Sequence, residues 1–321
     1  MPKVSVIVPI YNVSLYVEKC ARSLMEQTLE DIEYIFVDDC TPDNSLQILE
    51  ETIKDYPQRQ SQIKIVRHEI NRGLTSARNS GLLSATGDYI AHCDSDDWVE
   101  STMFEMLYNK AIEDNADAVY SDIRMVFKND SEIYTAATYV GDKTQLIKNY
   151  ISSNWTCLVN MIAKHDLYKR NNLKSPTHLC YCEDFWLSVR LLHYAKKISY
   201  YNKAFYNYNR INETSIVHRL NKRTEKDEQT AYLETIDFFS KEACLDCYEK
   251  ELSWRILKSK QELVLDIDEH DRFLEIYPIS HRYIWSCPYI NRKLKVFMYL
   301  LVKDFSWILN LMLKIRVILG R

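Results

Sequence analysis

Val4-Ser5-Val6-Ile7-Val8-Pro9-Ile10-Tyr11-Asn12 opens the chain with an apolar, β-branched run that ends at a proline and passes into polar residues. Such a run reads as a strand buried on both faces. Working outward, Val13, Val17, Cys20 and Leu24 recur at helical spacing, and residues 32–37 form a second buried-strand run that stops at Asp38-Asp39. Thr41-Pro42 reads as an N-cap followed by proline at the first helical position, with Leu46, Leu49, Ile53 and Tyr56 as the inward stripe. Residues 63–66 supply a third strand, 74–85 a helix and 89–93 a fourth strand. Phe104, Leu107, Ala111 and Ile112 mark the next helix. The alternation predicts an α/β fold, with a mostly parallel central sheet and helices on both faces.

Beyond residue 120 the rhythm loosens. Residues 122–138 read as one or two extended segments, and Phe185, Val189 and Leu192 as a helix beginning at Glu183. The Tyr- and Asn-rich stretch 198–210 reads as extended, and 222–265 as helical. The composition shifts near 215–225, which is the expected domain boundary. The 321 residues are 46% hydrophobic and 27% charged, a globular balance. With 41 Lys+Arg against 45 Asp+Glu, the net charge of −4 argues against a nucleic-acid partner.

The five glycines, Gly73, Gly81, Gly87, Gly141 and Gly320, are too sparse for G-x-G-x-x-G or G-x-x-x-x-G-K-[ST]. Dinucleotide enzymes and P-loop phosphotransferases use those glycines to bring the backbone close to phosphate. A nucleotide bound here needs another neutraliser. The nine cysteines and a start without a signal-peptide pattern lead us to expect reduced thiols and a cytoplasmic location. Cys180-x-Cys182 has the wrong spacing for a zinc knuckle, and Cys244-x-x-Cys247 falls in a helical pattern.

In open α/β sheets, ligands bind beyond the carboxyl ends of the strands. The first strand ends in Pro9-Ile10-Tyr11-Asn12, the second in Asp38-Asp39 and the fourth in Asp94-Ser95-Asp96-Asp97. Those ends bring an aromatic ring and up to five carboxylates around one crevice. Crowded carboxylates either take up a proton or recruit a cation. An Asp-x-Asp spacing suits a hard divalent ion, Mg²⁺ or Mn²⁺, that retains positions for phosphate oxygens. The alternative is that Ser95-Asp96-Asp97 only caps a helix starting near Val99.

Taken together, Val4 to Asn12, Val37-Asp38-Asp39, Asn71-Arg72-Gly73-Leu74-Thr75-Ser76-Ala77-Arg78-Asn79, and Gly87-Asp88-Tyr89-Ile90 running into Asp94-Ser95-Asp96-Asp97-Trp98 resemble the signature blocks of family 2 glycosyltransferases. The blocks keep the family's order and spacing over about the first 100 residues. The resemblance implies a GT-A fold and a metal-dependent, inverting enzyme. It implies that Pro9, Tyr11 and Asp39 hold the nucleotide base, Tyr11 by stacking and Asp39 by accepting from a ring N–H. Arg72 or Arg78 would face the nucleotide or its phosphates, Asp94 would lie near ribose and sugar, and Asp96 would bind the metal. Cys40-Thr41-Pro42 departs from the family's usual Gly-Ser-Thr and bears on the base contact. Glu183-Asp184 resembles the family's acidic pair at a helix start, whose Asp is the general base. Read without the family, the pair simply favours the positive end of a helix dipole. Tyr208, Arg210, Thr214 and His218 resemble a region that folds over the donor phosphates, with Arg210 on the diphosphate and His218 in the metal shell.

The expected organisation is a catalytic domain over 1–218, with a nucleotide-binding half at 1–120 and an acceptor half at 121–218. A helical region at 219–290 and an amphipathic basic helix at 291–321 follow. The expected reaction moves a sugar from a nucleotide diphosphate sugar, by family habit a UDP-sugar, to a hydroxyl of a glycan or lipid-linked glycan. Sugar nucleotidyltransferases share a similar sheet but grip triphosphate with a Gly-rich loop where this chain has Pro9 to Asn12. A non-catalytic nucleotide-sugar or glycan-binding module would need the metal site but not Asp184. In 291–321, seven Lys/Arg face the single Asp304, and Lys303-Asp304 interrupts the apolar run, which argues against a span. At about 100° per residue, Arg292, Lys303, Asn310, Lys314 and Arg321 share one stripe. The stripe suits a helix lying in a membrane interface at the inner face of the cell membrane. The competing reading is a helix packed on the chain's own domain or on a partner subunit.

Overall fold

Strand β1 (Val4–Ile10) occupies the middle of a nine-stranded sheet in the computed structural model, which describes residues 1–134, 142–153, 157–212 and 221–308. The elements that follow are α1 (Val17–Met25), β2 (Ile32–Asp38), α2 (Ser45–Lys54), β3 (Ile63–Arg67), α3 (Leu74–Ser84), β4 (Tyr89–His92), β5 (Trp98–Val99) and α4 (Met103–Asp114). Then come β6 (Ala118–Val126), β7 (Ser131–Tyr134), α5 (Lys143–Ser152), β8 (Met161–Lys164), α6 (His165–Arg170), α7 (Glu183–Tyr194) and β9 (Ile198–Asn209). The sheet order is β3-β2-β1-β4-β8-β6-β9-β5, with β7 on β6. Strands β3, β2, β1 and β4 are mutually parallel, so the early rhythm of strand and helix is realised as expected. The second half is mixed: β8 runs antiparallel to β4 and β6, β5 antiparallel to β9, and β6 parallel to β9.

Every residue of β1 and β2 is buried. Val4, Val6 and Val8 join Val17, Cys20 and Leu24 of α1 in one core, while Ile7 and Val37 face Gly81 of α3. A Cβ on Gly81 would collide with the Ile7 side chain, so glycine lets α3 lie directly on the sheet. Gly87 is tighter still. A Cβ there would stand 2.7 Å from the Ser5 nitrogen and 2.9 Å from the Val4 carbonyl carbon, and backbone cannot turn aside as a side chain can. Gly87 N–H also donates to Ser5 Oγ at 2.8 Å. Gly87→Ala is therefore expected to lower the unfolding free energy by about 1–3 kcal/mol. A denaturant titration checks this, and an unchanged midpoint would contradict it.

Two helix starts differ from the expectation. Helix α2 begins at Ser45, not after Thr41-Pro42, because Asp38 Oδ1 accepts from Thr41 N at 2.9 Å and bends 38–41 into a turn. Cys40 sits there at φ +55°. Helix α4 begins at Met103 rather than near Val99, since Trp98 and Val99 pair with Asn207 and Tyr206 of β9. Asp96 and Asp97 are accordingly not helix caps.

The chain divides into two compact units, Met1–Tyr150 with Trp155–Leu220, and Ile151–Asn154 with Asn221–Arg321. The second unit carries α8 (Lys222–Lys241), α9 (Glu249–Ser259), α10 (His270–Glu275) and α11 (Arg292–Val302). A capping box of Asn221 and Thr224 starts α8. The core of the second unit includes Leu257, Val264, Phe273, Ile284, Phe297, Met298 and Leu301. Lys260 is fully buried within it, and its Nζ donates to Phe273 O at 3.0 Å. Among the described residues no helix is long and apolar enough to cross a membrane. Residues 291–321 do not form one continuous described helix. Helix α11 stops at Val302, Asp304 takes φ +62°, and residues 309–321, with Asn310, Lys314 and Arg321, lie outside the described residues.

Candidate active site

The carboxyl ends of β1, β2 and β4 lead into three loops at one edge of the sheet, as their parallel register requires. On the first, Tyr11 follows Pro9 and is 47% exposed, so its ring is accessible for stacking. Asn12 adopts φ +55°, and its N–H donates to Thr41 Oγ1 at 2.8 Å. Val13 N and Ser14 N donate to Ser45 Oγ and Asp43 Oδ2 at 3.0 and 2.9 Å. Burial opposes ionisation of Asp43, but hydrogen bonds from Ser45, Thr41 and Ser14 outweigh it and hold this carboxyl well below the usual range. Asp43, absent from the sequence expectations, thus ties the first loop to the second.

Asp39 is buried, and its carboxylate is already engaged. Oδ1 lies 2.6 Å from His68 Nδ1 and accepts from Arg72 N at 2.8 Å, while Oδ2 accepts from Gly73 N at 2.7 Å. Asp39 therefore anchors the 68–73 loop, and a contact with a nucleotide base would come in addition. Gly73, at φ +86°, turns the chain into α3 and leaves the Arg72 side chain exposed at the rim.

Arg78 is buried and surrounded by carboxylates. Nη2 donates to Asp94 Oδ1 at 3.0 Å, and Nη1 to Glu183 Oε1 at 2.9 Å and to Asp184 Oδ1. Its fixed fork spans acids 16, 105 and 106 residues away in sequence. The next residue, Asn79, exchanges two hydrogen bonds with the Ser175 backbone, at 2.9 and 2.8 Å. Arg78-Asn79 so fastens the segment preceding α7 and the acidic pair that starts it. The Asn79 clamp was not foreseen; its only signal was its place in the quoted block.

Three acids around one cation cannot all ionise cheaply. Burial, then the neighbouring Asp184, push Glu183 up to about 8 against the pull of Arg78. Burial also raises Asp184, with Arg78 opposing and Asp94 adding to the rise. Of the two, Asp184 is the less enclosed carboxyl, with a side chain 19% exposed against 10% for Glu183.

The Asp94–Asp97 loop is held from β9. Tyr206 OH accepts from Asp94 N at 3.0 Å and donates to Asp97 Oδ2 at 2.7 Å, and Asn209 N donates to Asp97 Oδ1 at 2.7 Å. Asp97 is thus a buried latch. Burial, Asp96 and Asp94 push it well above the carboxylate range. Asp96 stays half-buried, its Oδ2 accepting from Asn212 Nδ2 at 2.7 Å. Burial and then Asp94 raise it to about 6. Arg210 lies between Asn209 and Asn212, with its N–H on Val126 O at 2.9 Å. Tyr206, Asn209 and Asn212 were legible only as part of a Tyr- and Asn-rich extended run.

No group of three or more His, Cys, Asp or Glu among the described residues is arranged to hold a metal. Asp94 and Asp96 do supply hard oxygen donors at one crevice, and the repulsion raising Asp96 is what a divalent cation would relieve. The donor set therefore fits such an ion if phosphate oxygens complete its shell. His218 lies outside the described residues.

The family model described as Glycosyl transferase family 2 matches residues 5–190. The uncharacterized glycosyltransferase EpsJ of Bacillus subtilis (strain 168) is 29% identical, covering 98% of this chain and 95% of its own length. The crystal structure of S. aureus TarS 1-349 in complex with UDP-GlcNAc superposes with a TM-score of 0.72 at 20% identity, covering 99% of this chain and 92% of that one. The mannosyltransferase PcManGT from Pyrobaculum calidifontis, in complex with GDP-Man and Mn2+, has a TM-score of 0.57 at 15% identity, covering 95% and 87%.

Proposed function

The chain belongs to glycosyltransferase family 2 and has the GT-A fold, and from that premise we propose that it transfers a sugar, with inversion, from a UDP-sugar to a hydroxyl of a glycan or lipid-linked glycan. The observation carrying this reading is the meeting of Asp94 and Asp184 on the two arms of Arg78. This proximity supports a reading in which Asp184 serves as the base beside the Asp-x-Asp loop. UDP-GlcNAc in the TarS structure supports a uridine donor.

In this reading Tyr11 stacks on the base, Pro9 shapes the loop beneath it, and Asp39 holds the adjoining loop and accepts from the ring N–H. Arg72 meets the diphosphate from the rim, with Arg210 approaching from the end of β9. Asp94 faces the ribose and sugar. Asp96 would hold a divalent cation, which would supply Lewis-acid neutralisation of the diphosphate. Asp184 accepts the proton of the acceptor hydroxyl, whose oxygen attacks C1 from the side opposite the diphosphate. The bond from C1 to the diphosphate oxygen breaks, its electron pair leaving with UDP. Arg78 does not touch the donor; it positions Asp94, Glu183 and Asp184.

The test is a panel of nucleotide sugars with purified protein and Mn²⁺, read as nucleoside diphosphate release with and without a glycan acceptor. One donor is expected to turn over far above the rest. Tight donor binding with no release from any of them, in the presence of acceptor, would replace this reading with a non-catalytic binding module.

A further inference from the structure

Helix α11 presents two unlike faces. Phe297, Met298 and Leu301 are buried in the core of the second unit, with Leu294 packed against them. At about 100° per residue, Arg292, Lys295, Val296, Tyr299 and Lys303 share the opposite face within roughly a 100° arc. The helix holds no acidic residue. Val296 is 40% and Tyr299 39% exposed, and Trp285, 56% exposed, stands beside Tyr299 with ring centroids 5.5 Å apart. Lys295 Nζ donates to Trp285 O at 3.0 Å, and Lys303 Nζ lies 5.9 Å from the Tyr299 centroid. Phe305 and Trp307, just past the helix end, are exposed as well.

We propose that this outer face of α11, with Trp285, is a docking surface for an anionic lipid bilayer. Its occupant is argued from charge and ring chemistry together. Arg292, Lys295 and Lys303 outnumber the one adjoining acid, Asp304, and complement lipid phosphates. Exposed indole and phenol rings between them suit the headgroup boundary, where the ring carbons leave water and the polar edges stay hydrated. A soluble polyanion would match the cations alone and leave the rings in water. The inward face is committed to the unit's own core, so contact is through the basic-aromatic face. This rests on nothing assumed about donor or acceptor.

The full chain is sedimented with vesicles of phosphatidylcholine alone and of phosphatidylcholine mixed with phosphatidylglycerol. Binding is expected only to the anionic vesicles. Two double variants, Trp285→Ser with Tyr299→Ser and Lys295→Glu with Lys303→Glu, should each lower the bound fraction by about tenfold, with an unchanged thermal midpoint. The substituted side chains lie on the outer surface, so folding should survive. If the wild type stays in solution, or both variants sediment as it does, the proposal fails. If only the charge variant loses binding, and inorganic polyphosphate competes for the site, the surface reads a soluble polyanion and the lipid assignment fails.

Discussion

Asp184→Asn is expected to bind UDP as the wild type does while kcat falls on the order of 10²-fold or more. The change is nearly isosteric, and an amide oxygen can still accept from Arg78 Nη1, so the cluster of Arg78, Asp94 and Glu183 keeps its geometry. What is lost is the capacity to take a proton. The wild-type acid limb of kcat should lie above the ordinary carboxylate range, because burial raises Asp184 and Arg78 does not cancel it. As pH falls through that limb the base is protonated and turnover declines. In Asp184→Asn the limb should be gone. The measurements are steady-state kinetics across pH and calorimetric titration with UDP. Turnover near wild type would move the base elsewhere, and Glu183 would be tested next.

The two carboxylates of that pair were legible as residues, yet their division of labour was not. Glu183-Asp184 stands at a helix start, where acids are common for electrostatic reasons alone. What holds them in one cluster is Arg78, whose Nη1 meets both and which comes from α3 more than a hundred residues earlier. A lone arginine in a helical pattern reads as solvated, so its burial among three acids could not be foreseen from spacing. The parallel half of the sheet was legible because β1 and β2 are seven-residue runs buried throughout. Strands β8 and β5, of four and two residues, are too short to show a period, and they are what makes the sheet mixed. At the other end of the chain, the sequence pattern around α11 showed a basic stripe on an apolar helix and left open whether its apolar residues meet a membrane or the chain's own core. Packing with Val264, Phe273 and Ile284 decides that.

Asp96→Ala is expected to remove most activity, by on the order of 10²-fold or more, and to weaken UDP binding chiefly when Mn²⁺ is present. The loop should survive the change. Asp97 remains latched to Tyr206 and Asn209, and Asn209 Nδ2 holds the backbone oxygen of residue 96 at 3.0 Å. Only the carboxylate goes, along with its hydrogen bond from Asn212. Asn212 orients that carboxylate through Oδ2, so a divalent cation would be met chiefly by Oδ1, and alanine offers no oxygen in its place. Asp94 is a poorer substitute because one of its oxygens already serves Arg78. Calorimetry of UDP binding with Mn²⁺ and then with excess EDTA separates the two roles Asp96 could have. A metal ligand gives a difference between wild type and variant that vanishes in EDTA. A residue that only shapes the pocket gives the same difference in both. Full turnover of the wild-type protein in excess EDTA would sink the metal assignment outright, leaving Arg72 and Arg210 as the cations proposed to meet the diphosphate.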